Sequence, residues 1–170
     1  SRNAYRTRTR TAFEAALPEQ PKRRRPSFLA IPGNHDWYDG LTGFLREFCQ
    51  GGCLGGWRLE QSRSYFAVRL KCDWWLLGID IALDSRIDSP QQQYFTKVLS
   101  YMRNRTPHRK PRVILCTAKP VWLDNPRHSS DARRNLAFFL DLVNEFGSDV
   151  KLILSGDVHH YSRYQGPGGR

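Results

Sequence analysis

The stretch VKLILSGDVHHY, residues 150–161, decides the fold. Its first half, residues 150–155, is a near-continuous apolar run, as a strand buried in a parallel sheet requires. Its second half becomes polar at Gly156 and supplies Asp157, His159 and His160. Polar side chains that directly follow a buried strand are typical of α/β sheets, because ligands gather at the strand ends.

A second stretch, FLAIPGNHD at residues 28–36, has the same form. Residues 28–31 predict a short buried strand, which must end at Pro32 and Gly33 because proline removes a backbone donor and glycine permits a sharp turn. Asn34, His35 and Asp36 follow at once. The two polar clusters could therefore face one site.

The rest of the chain alternates short apolar runs with longer amphipathic ones, which predicts an α/β layer architecture. We expect helices at residues 41–48, 90–104 and 131–146, with Ser89 as the cap of the second and Gly147 as the terminator of the third. We expect a hairpin from residues 64–70 and 73–79, and a further strand at residues 112–117.

The positive charge is uneven. The chain carries +11 overall, and residues 1–27 hold eight Lys and Arg against two Glu. We interpret residues 1–27 as a basic amino-terminal helix, ending near Pro18, with a linker, and residues 28–170 as the main domain. The charge suggests phosphates, anionic surfaces or nucleic acid as partners, and a basic nucleic-acid module remains an alternative.

No membrane span is expected, because the longest apolar run, residues 74–83, is far shorter than the ~20 residues that a span needs. Four cysteines are too few for a secreted disulfide scaffold, so a reducing, cytoplasmic location is the default. Cys49 and Cys53 could form half of a zinc site, but no second pair with suitable spacing follows.

The two polar clusters offer donors for a transition metal. Asn34 has a neutral carbonyl oxygen, Asp157 a carboxylate, and His159 and His160 imidazole nitrogens. Such a mixture suits Zn, Mn or Fe better than calcium.

With these motifs the sequence resembles the calcineurin-like metallophosphoesterase superfamily. The IPGNHDWYDGL stretch at residues 31–41 is similar to that family's Gly-Asn-His-Asp/Glu block. The SGDVHHY stretch at residues 155–161 is similar to a bacterial and plant variant of its terminal block. The resemblance covers roughly residues 28–164. It implies a fragment of a sandwich of two mixed β-sheets flanked by helices.

The resemblance also implies residue roles. Asn34, Asp157 and His159 would be metal ligands, with His160 as an additional candidate. His35 would hold a substrate phosphate or protonate the leaving oxygen, and Asp36 would bond the imidazole to set its tautomer. The implied activity is hydrolysis of a phosphate ester by metal-activated water, and the implied cofactors are two divalent ions.

Two departures from the family pattern matter. Ala118 occupies the place of an expected metal histidine, with Lys119 beside it. The family's first two metal-binding blocks do not precede residue 28, so we expect this chain to be the carboxy-terminal portion of a longer protein. The chain alone should bind metal poorly and hydrolyse slowly or not at all. A degenerate, non-catalytic binding domain is the alternative.

Overall fold

The computed structural model describes residues 5–81, 87–123, 131–158 and 161–165. It confirms an α/β protein with two mixed sheets and helices. The smaller sheet has the strand order β1-β3-β2, in which β1 is parallel and β2 antiparallel to β3. Its strands are β1 (Ser27–Phe28), β2 (Cys53–Leu54) and β3 (Trp57–Leu59).

The larger sheet has the order β4-β5-β6-β7, with an antiparallel pair β4/β5 and parallel pairs β5/β6 and β6/β7. Its strands are β4 (Phe66–Arg69), β5 (Trp74–Gly78), β6 (Arg112–Thr117) and β7 (Asp149–Ser155). The predicted hairpin is confirmed as β4 and β5. Its turn places Cys72 and Asp73 at positive φ.

The described residues form four α-helices beside the sheets: α1 (Thr11–Ala16), α2 (Thr42–Phe48), α3 (Ser89–Arg105) and α4 (Asp131–Glu145). A π-helical turn, Arg6–Arg10, precedes α1. The prediction that Ser89 caps α3 is wrong. Asp88 is the cap, because its carboxylate accepts the Gln91 amide at 2.8 Å. Among the described residues, no helix has the length and apolarity needed to cross a bilayer.

In the part of the chain that the structure describes, the buried side chains form two clusters. In the larger cluster, α3 and α4 pack one face of the four-stranded sheet, with Phe95 and Phe139 in edge-to-face contact at 4.8 Å. In the smaller cluster, Phe44 and Phe48 of α2 pack with the three-stranded sheet. Tyr5 and Phe13 pack against this smaller cluster, so the basic amino-terminal segment contributes to it.

The predicted strand at residues 28–31 is only partly correct, because β1 ends at Phe28. The buried side-chain amide of Gln61 takes the place of a strand neighbour. Its Nε2 donates to the Ala30 carbonyl at 2.9 Å, and its Oε1 accepts the Ala30 amide at 2.7 Å. The main chain that leads to Pro32 is therefore held by side-chain hydrogen bonds and not by pairing with another strand.

The prediction that the last strand is buried is wrong. β7 is a parallel strand, but it lies at the edge of the four-stranded order that the described residues form. Leu152 is 46% exposed and Leu154 is 47% exposed. Their register partners Ile114 and Cys116 are half-buried on the face opposite α3 and α4. The near-continuous apolar run of β7 therefore includes a face that is exposed in the structure.

Candidate functional site

The motif at residues 33–36 forms a tight turn rather than an extended loop. Asn34–Asp39 is a 3₁₀ helix that ends at Gly40, which adopts a left-handed φ of 65°. The Asp36 carboxylate accepts the Gly33 amide through Oδ2 at 2.8 Å. Because this bond closes back over the start of the turn, it holds Asn34 and His35 on a fixed backbone.

The other oxygen of Asp36 accepts a hydrogen bond from the Tyr5 hydroxyl. Burial, followed by this bond to Asp36, raises the pKa of Tyr5 well above its ordinary value, so the hydroxyl stays a donor. The carboxylate is thus held by Gly33 and Tyr5. These bonds differ from the one to the His35 imidazole that the family resemblance implies.

A cavity of about 400 Å³ opens beside this turn. His35, Asp36, Tyr38 and Asp39 line one side, and Tyr5, Arg8 and Thr9 line the other. The His35 ring lies against the Tyr38 ring, with centroids 4.8 Å apart. A cation and an imidazole therefore share one open pocket.

Sequence reasoning missed the contribution of Tyr5 and Arg8. Their spacing, three residues apart with Thr9 next, places them on one face of the predicted amino-terminal helix. This spacing indicates that Tyr5 and Arg8 share a helix face, but it does not indicate which part of the protein that face contacts. The packing of Tyr5 against Phe48, at a ring separation of 5.7 Å, and its hydrogen bond to Asp36 bring it to the turn.

Asn34 is exposed, and its Oδ1 accepts the His35 amide at 3.0 Å. A carbonyl oxygen has a second lone pair, so the oxygen could also face a ligand.

The second predicted cluster lies beyond the end of β7. In the register of the larger sheet, Gly78 of β5 pairs with Cys116 of β6, which pairs with Leu154 of β7. Asp80, Ala118 and Asp157 follow these three parallel strands. They therefore lie together at the carboxyl ends of the strands, and we call this end of the sheet its edge. Asp157 is exposed and has a left-handed φ of 77°. His159 and His160 lie outside the described residues.

A hydrogen bond joins the turn to this edge. The Trp37 indole Nε1 donates to Asp80 Oδ1 at 3.1 Å. Neighbouring strands are about 4.8 Å apart, so the ends of β5 and β7 are separated by roughly 10 Å. The structure thus brings the Asn34 turn and Asp157 to the same edge of the sheet.

The main chain of Asp80 is held by two hydrogen bonds from Gln91 of α3. Gln91 Oε1 accepts the Asp80 amide at 2.9 Å, and Gln91 Nε2 donates to the Asp80 carbonyl at 3.0 Å. Both residues are buried. Gln61 makes the same pair of hydrogen bonds with the main chain of Ala30. A buried glutamine thus clamps the main chain before the turn, at Ala30, and the main chain that the turn contacts, at Asp80.

The residues present fit a metal in donor type but not in number. Asn34 and Asp157 offer oxygens, yet the described part of the chain contains no group of three or more His, Cys, Asp and Glu that could hold an ion. Cys49 donates to the Arg63 carbonyl, and Cys53 accepts from Arg25, so each thiol has a partner of its own. The zinc interpretation of this pair gains no support.

Comparisons with family models, with curated proteins and with solved structures found no match to this chain. The resemblance therefore rests on the motifs themselves.

Proposed function

We propose that the chain is part of a metal-dependent phosphoester hydrolase of the two-sheet sandwich type. One observation carries the proposal: the hydrogen bond from Trp37 to Asp80 places the Asn34 turn at the strand edge that also bears Asp157. Two motifs separated by over a hundred residues of sequence thus share one end of one sheet. Catalytic and ligand-binding groups of α/β proteins gather at that end.

The pocket beside the turn supplies the groups that act on a phosphate ester. Arg8 offers a guanidinium, whose planar donors match phosphate oxygens. His35 is exposed on the same pocket and would protonate a departing alkoxide. Asp36 and Tyr5 keep the turn rigid, so His35 needs little reorganisation.

Asn34, Asp157 and His159 would hold metal, with His160 as the additional candidate. When bound, a divalent ion would activate water and draw charge from the phosphoryl oxygens. A dinuclear site needs about seven or eight protein ligands, so further ligands must come from outside the described residues. The chain alone should therefore hold less than one equivalent of Mn or Zn after purification.

The proposal is tested by hydrolysis of an aryl phosphodiester with added Mn²⁺, comparing the purified chain with Asn34→Ala and His35→Ala. We expect a low Mn²⁺-dependent rate that each change lowers at least about tenfold. Asn104→Ala and His108→Ala are matched controls, because both residues are exposed near the opposite end of the sheet. A rate that Asn34→Ala and His35→Ala leave unchanged would contradict the catalytic assignment.

A non-catalytic binding domain is the second candidate, and Ala118 favours it. This residue follows β6 at the shared edge, where the family pattern has a histidine. Ala118→His separates the two functions. In a hydrolase lacking one ligand, the change should raise Mn²⁺ affinity about tenfold or more. In a degenerate domain it should change nothing.

A further inference from the structure

The cavity beside the Asn34 turn is the place where a leaving alcohol would lie. His35 lines this cavity, whose volume is about 400 Å³. A general acid must lie within hydrogen-bond reach of the oxygen that it protonates, so the alcohol of a phosphate ester would occupy the space beside His35. The walls of the cavity would therefore select the alcohol part of the substrate.

Tyr38 gives the cavity an open aromatic wall. The residue lines the cavity and is 77% exposed. It belongs to the same 3₁₀ helix as His35, and the two rings are in contact at 4.8 Å between centroids, with 53° between their planes. An accessible aromatic ring thus lies directly beside the candidate acid.

Exposure alone does not distinguish Tyr38 from other tyrosines. Tyr101, Tyr161 and Tyr164 are also exposed, but none of them lines this cavity. Tyr5 does line it, but Tyr5 is half-buried. Of the tyrosines that the structure describes, Tyr38 therefore combines an exposed side chain with a place in the cavity.

The charged groups of the cavity favour a neutral alcohol. The carboxylate of Asp36 is bound by the main chain of the turn and by Tyr5, and the carboxylate of Asp39 accepts the Gly43 amide at 3.2 Å. These two carboxylates would repel a second negative charge on the substrate. Arg8, which lines the same cavity, would repel a positive one.

We propose that Tyr38 determines substrate specificity, and that the leaving alcohol carries a neutral planar ring that stacks on the Tyr38 ring. The proposal rests on the proposed hydrolase function, because that function places an alcohol beside His35. Aromatic pairs are more stable than their buried area alone explains, so a planar ring gains a contact here that a saturated ring does not. The volume of about 400 Å³ is near the lower end of the range for small-molecule sites, about 300–1,000 Å³, which suits one ring with its phosphate.

The test compares two esters that differ in the planarity of one ring, benzyl phosphate and cyclohexylmethyl phosphate. Both carry the same phosphate group and the same number of carbon atoms. Their affinities for the unaltered chain are measured by NMR titration, following the amide signals of residues 34–39. We expect benzyl phosphate to bind at least about threefold more tightly. Tyr38→Leu should remove this preference, whereas Tyr38→Phe should keep it because the ring remains.

Tyr101→Leu is the matched control. It removes a half-exposed tyrosine ring that packs on Trp75 of β5 and lies outside the cavity, so it should leave the preference unchanged. Equal binding of the two esters to the unaltered chain would overturn the proposal. So would no measurable binding of either ester, or a preference that survives Tyr38→Leu.

The binding measurement does not require turnover, so its failure is distinguishable from failure of the hydrolase assignment. Mn²⁺-dependent hydrolysis of the aryl phosphodiester, together with equal binding of the two esters, would contradict the ring preference alone. A preference that Tyr38→Leu removes, in a chain whose hydrolysis is unaffected by His35→Ala, would support the ring site and contradict the hydrolase assignment.

Discussion

The Trp37 indole donates to the buried carboxylate of Asp80 at 3.1 Å, across 43 residues of sequence. Asn34 and His35 lie on the same 3₁₀ turn as Trp37. The bond joins this turn to the main chain that follows the carboxyl end of β5. Asp80 is only 7% exposed and Trp37 is half-buried, so the bond is partly shielded from bulk water. The Trp37 indole thus helps to hold the candidate site against the larger sheet, together with the packing of Ile31 beside Gly78 of β5.

Replacing Trp37 should loosen the turn. Trp37→Phe removes a hydrogen bond to a buried carboxylate, and we expect the free energy of unfolding to fall by about 1–3 kcal/mol in a urea titration. Trp122→Phe is the matched control, because the Trp122 indole N–H has no hydrogen-bond partner among the described residues. Equal losses in the two variants would show that the bond contributes nothing.

Gln91 should matter more than its neighbours on α3. Gln91→Leu takes two hydrogen bonds from the buried main chain of Asp80, so the free energy of unfolding should fall by about 1–3 kcal/mol. Gln93→Leu, on the exposed side of the helix, should change it by less than about 0.5 kcal/mol. Indistinguishable urea midpoints for the two variants would refute the clamp.

Tyr5 should make the protein sensitive to alkali. Because burial and Asp36 raise the pKa of Tyr5 in the folded state, the unfolded chain loses this proton first as pH rises. The stabilisation is complete below the ordinary tyrosine pKa of about 10 and declines above it. Unfolding measured from pH 8 to about pH 11 should show a steeper loss for the unaltered chain than for Tyr5→Phe. Parallel curves would contradict the raised pKa.

Much of the fold was predictable where local pattern and packing agree. The strand Arg112–Thr117 is confirmed in full, and the helix predicted at residues 131–146 is observed at Asp131–Glu145. The spacing of apolar residues was enough to predict these two elements, because each of them buries one face in the larger cluster of buried side chains. Gly147, at a left-handed φ of 72°, ends the helix as predicted.

The remaining errors come from contacts distant in sequence. An apolar run cannot show whether a strand has neighbours on both sides, so β7 was expected to be buried although Leu154 is exposed. The strand β1 ends at Phe28, and beyond it the main chain of Ala30 is held by the side chain of Gln61, which lies 31 residues away in the sequence. Tyr5 and Arg8 reach the pocket through tertiary packing, which no local motif encodes.

The most direct test of the account is a Mn²⁺ titration followed by amide NMR of the whole chain. If the two residues share one ion, as proposed, Asn34 and Asp157 should lose signal together at the same Mn²⁺ concentration, and Asp157→Ala should abolish the loss at Asn34. Separate Mn²⁺ dependences for the two residues, or broadening at Asn34 that survives Asp157→Ala, would contradict a shared metal site.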